Sequence, residues 1–401
     1  MCCWRFRSPA VNRCRRHGEG VSDLAPTLDI LARLIAFDTT SRNSNLALIA
    51  WVEAFLGARG IAARRVSNAA GDKANLYALV GPSVEGGVVL SGHTDVVPVD
   101  GQIWSSDPWL LSQRGDKVYG RGTADMKSFL AVALAHVDAA CAAGLKHPLI
   151  LAFSYDEEVG CLGAPALIEA ILRGAPKPAL VIVGEPTRMK VVSAHKGVRS
   201  FIVEILGREA HSSLPDTGVS AVMEALKLMN FVVEMGVAAR SVAHSHFTPS
   251  TMTIGSVEGG TAANILARRC AFVWDLRTAD MNQGDEIEAR FRAAADVLDA
   301  EIKQRAPEGG VIVTRRSLTP GLAIERESAA EILARALTGD NETRAASYAA
   351  EAGLFQRAGI PAIVCGPGSI EQAHQPDEWI ERSQLEEGAL FMRRLIARLS
   401  A

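Results

Sequence analysis

Apolar positions along the chain form two kinds of strand-like run. Between residues 75 and 185 the runs are almost uniformly apolar: "NLYALVG" (75–81), "GGVVLSG" (86–92), "LILAFSY" (149–155) and "ALVIVGE" (179–185). Strands without polar alternation belong to sheets covered on both faces. Helical periods separate them. Leu28, Leu31 and Ile35 share one face, "LALIAWVEAFLGARG" (46–60) stops at Gly60, and "KSFLAVALAHVDAACAAG" (127–144) is a helix dominated by Ala and Leu. The pattern predicts an α/β unit with a mostly parallel sheet covered by helices.

The character changes after "SAHKG" (193–197). "RSFIVEILG" (199–207) alternates, and a helix follows at about 217–235. Strand candidates at 251–257 and 270–277, a helix at about 285–304 and a strand at 310–317 complete the set. The order βαββαβ is the ferredoxin-like plan of a small α+β domain. From Pro320 the α/β character resumes, ending in "PAIVCG" (361–366) and a closing helix. The expected organisation is therefore a discontinuous larger domain, 21–196 and 318–401, interrupted by a smaller one at 197–317. Residues 1–20 hold three Cys and five Arg without any period. They read as a disordered or spurious tail, with the natural start near Val21.

Composition removes several function classes. Of 401 residues, 42 are basic and 45 acidic, with no basic tract in the body of the chain, which argues against nucleic acid as a partner. No apolar run approaches the roughly 20 residues needed to span a bilayer. Seven cysteines, without framework spacing or any C-x-x-C pair, argue against a disulfide scaffold and against structural zinc.

Candidate chemistry collects just beyond the strands. His93 and Asp95 follow 86–92, Glu157 and Glu158 follow 149–155, Glu185 ends "ALVIVGE", and His374 lies in the loop after 361–366. Asp125 precedes the helix at 127. In open parallel sheets ligands bind outside the carboxyl ends of the strands, so these segments aim at one edge. Converging carboxylates repel one another unless cations neutralise them. Five ligands exceed what one catalytic zinc takes, and suit two metal ions sharing a carboxylate.

The stretches "SGHTDVVP", "GRGTADMK", "YDEEVGCLGA", "GEPT" and "AHQPDEW", in this order, resemble the M20 family of dinuclear metallohydrolases. The resemblance covers nearly everything from about residue 25 onward. It implies two divalent metal ions, zinc first and cobalt as an option, with His93 and Glu185 on one, Glu158 and His374 on the other, and Asp125 bridging. It further implies Glu157 as general base, Asp95 as the partner that orients His93, and His211 as an oxyanion donor reaching the other protomer of a homodimer. Arg277 and Asn264 would bind the substrate carboxylate, and Glu351 is a candidate for an ammonium group or an ordinary helical surface charge. The expected reaction is cytoplasmic hydrolysis of the acetyl amide of N-acetyl-L-ornithine in arginine biosynthesis. The alternative is another M20 deacylase or dipeptidase, such as a succinyl-diaminopimelate desuccinylase. His136 and His147 read as structural, His244 and His246 as a solvated loop, and Cys161 and Cys365 as small buried thiols.

Overall fold

The computed structural model describes residues 24–241, 247–325 and 327–401. The tail 1–20 and the His244–His246 pair lie outside them. The larger sheet has six strands in the order Ala63–Ser67, Ala74–Val80, Leu149–Ser154, Val88–His93, Leu180–Val183, Ala362–Val364. The last four run parallel, and the first two pair antiparallel at one edge. Every residue of Val88–His93, Leu149–Ser154 and Leu180–Val183 is buried, as unalternating apolar runs demand. Leu31, Leu34, Leu130 and Leu395 belong to the core on one face, while Leu167, Ile171 and Phe355 belong to the core on the other.

The run 127–144 is not one helix. Lys127–Ala135 ends at His136, whose N–H bonds Ala133 O, and a short helix Val137–Ala142 restarts there. The His136 ring explains the break in part, because its Nδ1 turns back to Val132 O at 2.8 Å.

The chain then leaves the large sheet and builds a second one. Its order is Thr251–Gly259, Arg269–Thr278, Gly197–Leu206, Gly310–Thr319, all antiparallel. Helices Ala221–Arg240 and Met281–Arg305 cover one face, completing the βαββαβ order. The helix expected from 217 begins at Ala221, with Ser220 as its cap and a 3₁₀ turn, Pro215–Thr217, before it. Alternation now sets the geometry: Phe201, Val203, Trp274 and Leu276 are buried in the core of this unit, while Val198 and Ser200 face the other way. Trp274 lies 4.6 Å from Phe201 and 4.6 Å from Phe291, centroid to centroid. Truncating such an aromatic to Ala costs about 3–5 kcal/mol.

The two crossings between units lie side by side. His195 N–H donates to Leu322 O (3.1 Å) and Leu322 N–H to His195 O (3.0 Å). Beside them Gly197 and Gly321 pack backbone to backbone, with the Cβ position of Gly197 only 2.8 Å from Gly321 N. No described helix is long and apolar enough to cross a membrane.

Candidate metal centre

The strand Val88–His93 delivers His93 at its last position, 1% exposed. Its Nδ1–H donates to the main-chain oxygen of Asp95 at 2.8 Å, which leaves Nε2 as the atom free to ligate. The sequence suggested that the Asp95 carboxylate would orient this ring. The carboxylate stands 3.7 Å away and is otherwise engaged: it accepts the Ser41 hydroxyl (2.8 Å) and the N–H groups of Glu157 (3.1 Å) and Glu158 (3.3 Å). The turn back from the strand end brings the carbonyl, not the side chain, under the imidazole.

Asp125 is the hub. Its Oδ1 is 3.0 Å from His93 Nε2 and its Oδ2 is 3.4 Å from His374 Nε2. Glu158 Oε2 lies 3.1 Å from His374 Nε2, and Glu185 Oε1 lies 4.0 Å from His93 Nε2. Ligating atoms of His93, Asp125 and Glu158 fall within 4.8 Å of one another, as do those of His93, Glu157 and Glu185. The fold thus brings together all five expected ligands and the expected base. Gly184 helps to bring Glu185 in, because a Cβ there would collide with the Phe129 ring.

Charge at this cluster is unbalanced. Burial and the neighbouring Asp125 charge push Glu158 up to about 7. Burial, followed by other carboxylates, holds Glu185 well above the usual range, and Glu157 is raised by burial in the same way. Hydrogen bonds to Asp125 and Glu158 raise His374 to about 10. Burial opposes protonation of His93, yet Asp125 beside it raises the imidazole well above its ordinary value. For Asp125 burial works upward, but bonds from His374 and His93 hold it well below the carboxylate range. The buried oxygens Glu158 Oε1 and Glu185 Oε1 have no hydrogen-bond partner among the described residues. Orphan oxygens, elevated carboxyl groups and two imidazoles form a donor set that fits divalent cations.

Sequence reasoning missed the base of the site. Glu378, buried, accepts Arg121 Nη1–H (2.7 Å) and the N–H groups of Gly122 (3.0 Å), Ala124 (2.7 Å) and Asp125 (3.0 Å). It locks the loop that presents Asp125. The signal was present in "HQPDEW", where an acid follows the His374 loop, but its partners are more than 250 positions away. Glu351 is neither exposed nor at the cleft. It is 1% exposed, accepts Ser91 Oγ–H at 3.0 Å, and sits behind the strand that carries His93.

A cleft of about 300 Å³ opens over the centre, with Glu157, Glu185 and Tyr348 on one wall and Ser200, Arg277 and Arg316 on the other. Arg277 lines it, paired with Asp275 at 3.2 Å. His211 and Asn264 do not line the cleft of their own chain. They occupy adjoining exposed loops of the smaller unit, joined by Ser212 N–H to Asn264 O (3.0 Å).

Fold and donor set together have the form of a metal-dependent α/β hydrolase, and the family match gives that class. The chain belongs to peptidase family M20/M25/M40, whose model matches residues 89–398. It is 33% identical over 386 residues to an acetylornithine deacetylase of Myxococcus xanthus, covering 94% of this chain and 98% of that one. An acetylornithine deacetylase of Erwinia tasmaniensis is 35% identical over 317 residues, 77% of this chain and 79% of the relative. Among solved structures, a tripeptidase from Staphylococcus aureus matches with a TM-score of 0.72 at 21% identity, over 94% of this chain and 100% of that one. An M20 family metallo-carboxypeptidase from Sulfolobus solfataricus has a TM-score of 0.72 at 16% identity, over 93% of this chain and 99% of that one.

Proposed function

We propose that this chain hydrolyses the acetyl amide of N-acetyl-L-ornithine, releasing L-ornithine and acetate. The observation that carries the reading is the gathering of His93, Asp125, Glu158, Glu185 and His374 around Glu157, in a chain whose curated relatives are acetylornithine deacetylases. His93 and Glu185 would hold one divalent ion, Glu158 and His374 the other, with Asp125 between. Zinc suits this mixed carboxylate and imidazole set, and cobalt is the second choice. When bound, such a pair of ions supplies Lewis acidity and eases deprotonation of water.

The remaining chemistry belongs to the chain. Glu157 is half-buried beside the ligands, and desolvation together with neighbouring carboxylates raises its carboxyl above the usual range, as suits a group that takes a proton from water. It then returns that proton to the leaving amine. Arg277 and Asn264 would bind the substrate carboxylate by charge-assisted hydrogen bonds. His211 would donate to the tetrahedral oxyanion across a homodimer interface built by the smaller unit. The likeness to curated acetylornithine deacetylases supports a small N-acylated amino acid as substrate; arginine biosynthesis in the cytoplasm is the setting this reading proposes.

A substrate panel tests this reading. With the metal-reconstituted enzyme, kcat/KM for N-acetyl-L-ornithine should exceed that for N-succinyl-diaminopimelate and for dipeptides. A preference for the succinyl substrate or for peptides overturns it.

A further inference from the structure

The strand Gly310–Thr319 carries an irregularity at the cleft. Arg315 pairs with Phe201 and Ser317 with Ser200, so Arg316 is an extra residue in a β-bulge. Two consecutive residues of this strand then oppose one on its neighbour, and bulges of this kind re-aim side chains beside functional sites. Arg315, on the helix side, reaches Glu288 at 3.2 Å. Arg316 and Ser317 both line the cleft.

The surrounding arginines are neutralised and Arg316 is not. Arg199 pairs with Asp285 and Glu288, Arg292 with Glu288, and Arg277 with Asp275. Among the described residues Arg316 has no hydrogen bond or ion pair to another side chain. It is an uncompensated guanidinium on the wall opposite the carboxylates of the metal centre. The same segment is also fastened to the catalytic loop: Thr319 Oγ1–H donates to Gly160 O at 3.1 Å, and a Cβ on Gly160 would collide with Ser317. The backbone that carries the exposed Arg316 is therefore held in a set relation to Glu157, three residues before that glycine.

We infer that Arg316 is a further substrate-positioning residue, which joins Arg277 at the α-carboxylate of the N-acylated amino acid and so helps to align its amide with Glu157. A guanidinium presents two parallel N–H groups matched to a carboxylate, and Arg277 already shares its Nε–H with Asp275. The inference rests on the proposed deacylase reading and adds to it a second cation that favours acids over amines.

The test compares N-acetyl-L-ornithine with N-acetylputrescine, the same molecule without its carboxylate, in wild type, Arg316→Ala and Arg316→Lys. Losing charge-assisted hydrogen bonds should shrink the wild-type preference for the carboxylate-bearing substrate about 30-fold in Arg316→Ala, mostly through KM. Arg316→Lys should recover part of it. Bound metal and Tm, measured on the same samples, exclude misfolding as the cause. Equal losses on both substrates, no loss on either, or a loss seen only with N-succinyl in place of N-acetyl substrates would each overturn the inference. If wild type ignores N-acetyl-L-ornithine but cleaves another N-acyl amino acid, the functional reading fails alone. The carboxylate test then runs on that acid and its decarboxylated amine.

Discussion

Asp95 holds Glu157 in place: its Oδ1 accepts the Glu157 N–H at 3.1 Å, while Oδ2 takes the Ser41 hydroxyl and the Glu158 N–H. One carboxylate thus ties the base, a ligand and the strand end that carries His93 into a single unit. Asp95→Ala should lower kcat by roughly 10–100-fold and weaken metal binding, whereas Ser41→Ala, which removes one of three donors, should cost less. Steady-state kinetics together with metal titration would check both, and equal effects from the two variants would contradict the network.

Glu157→Gln should keep the ligand set and lose roughly 10²–10⁴ in kcat, because an amide cannot carry the proton. His211→Ala should also lose turnover with its metals retained. If His211 serves the partner's centre, subunit exchange between the two inactive variants should restore roughly a quarter of wild-type activity, since half the dimers then hold one complete site of two. Mixtures that stay inactive after verified exchange would place His211 elsewhere.

Glu378→Gln breaks a buried ion pair with Arg121 and sets an amide NH₂ against backbone donors. Loss of one partner of such a pair costs about 3–5 kcal/mol. Urea unfolding should register this, and metal affinity should fall with it because Asp125 loses its anchor.

Metal uptake should release protons. In the metal-free chain His374 titrates at about 10 and Glu158 at about 7, so at pH 7 the first is protonated and the second half so. Ligation requires both deprotonated, and the raised His93 and Glu185 likewise, which predicts release of more than one proton per chain on zinc binding. Calorimetry in buffers of differing ionisation enthalpy would count them, and the same titration should give about two ions per chain.

His195 supplies a pH dependence of stability remote from the centre. It is fully buried, its Nδ1–H donates to Lys196 O and its Nε2 accepts Gly353 N–H, and burial pushes it down to about 4. Between its unfolded value near 6.5 and about 4, the unfolded chain binds a proton that the folded chain refuses. Stability is therefore full above pH 6.5 and declines as pH falls, by about 3 kcal/mol from this group alone. Denaturant midpoints across that window should flatten in His195→Gln.

Much of the site was legible because the chain marks it with abrupt changes of polarity. A buried strand that ends in His93, or in Ser154 with Glu157 and Glu158 three and four residues on, leaves little else for those groups to face. The ligands came from strand ends, which hydrophobic pattern locates well. What escaped depends on relations between distant segments. The bulge at Arg316 is a property of two strands in register, invisible in either alone. Glu378 looked like one acid in a polar loop, and its burial follows only once the Gly122–Asp125 turn closes on it. Glu351 sits at the head of the short helix Ala352–Arg357, where a charge ordinarily meets solvent, yet the large sheet covers it. The Asp95 carbonyl took the role expected of its side chain because sequence spacing cannot tell the two oxygens apart.

The adjoining crossings at His195 and Leu322 bear on how separable the two units are. A segment whose entry and exit touch can be spliced into, or trimmed from, a host without disturbing the host's own strand order. The larger sheet has Leu180–Val183 and Ala362–Val364 as hydrogen-bonded neighbours across that excursion, as they would be with a short loop between them. By connectivity the smaller unit is a removable excursion, and it is this excursion that carries the arginine facing the cleft.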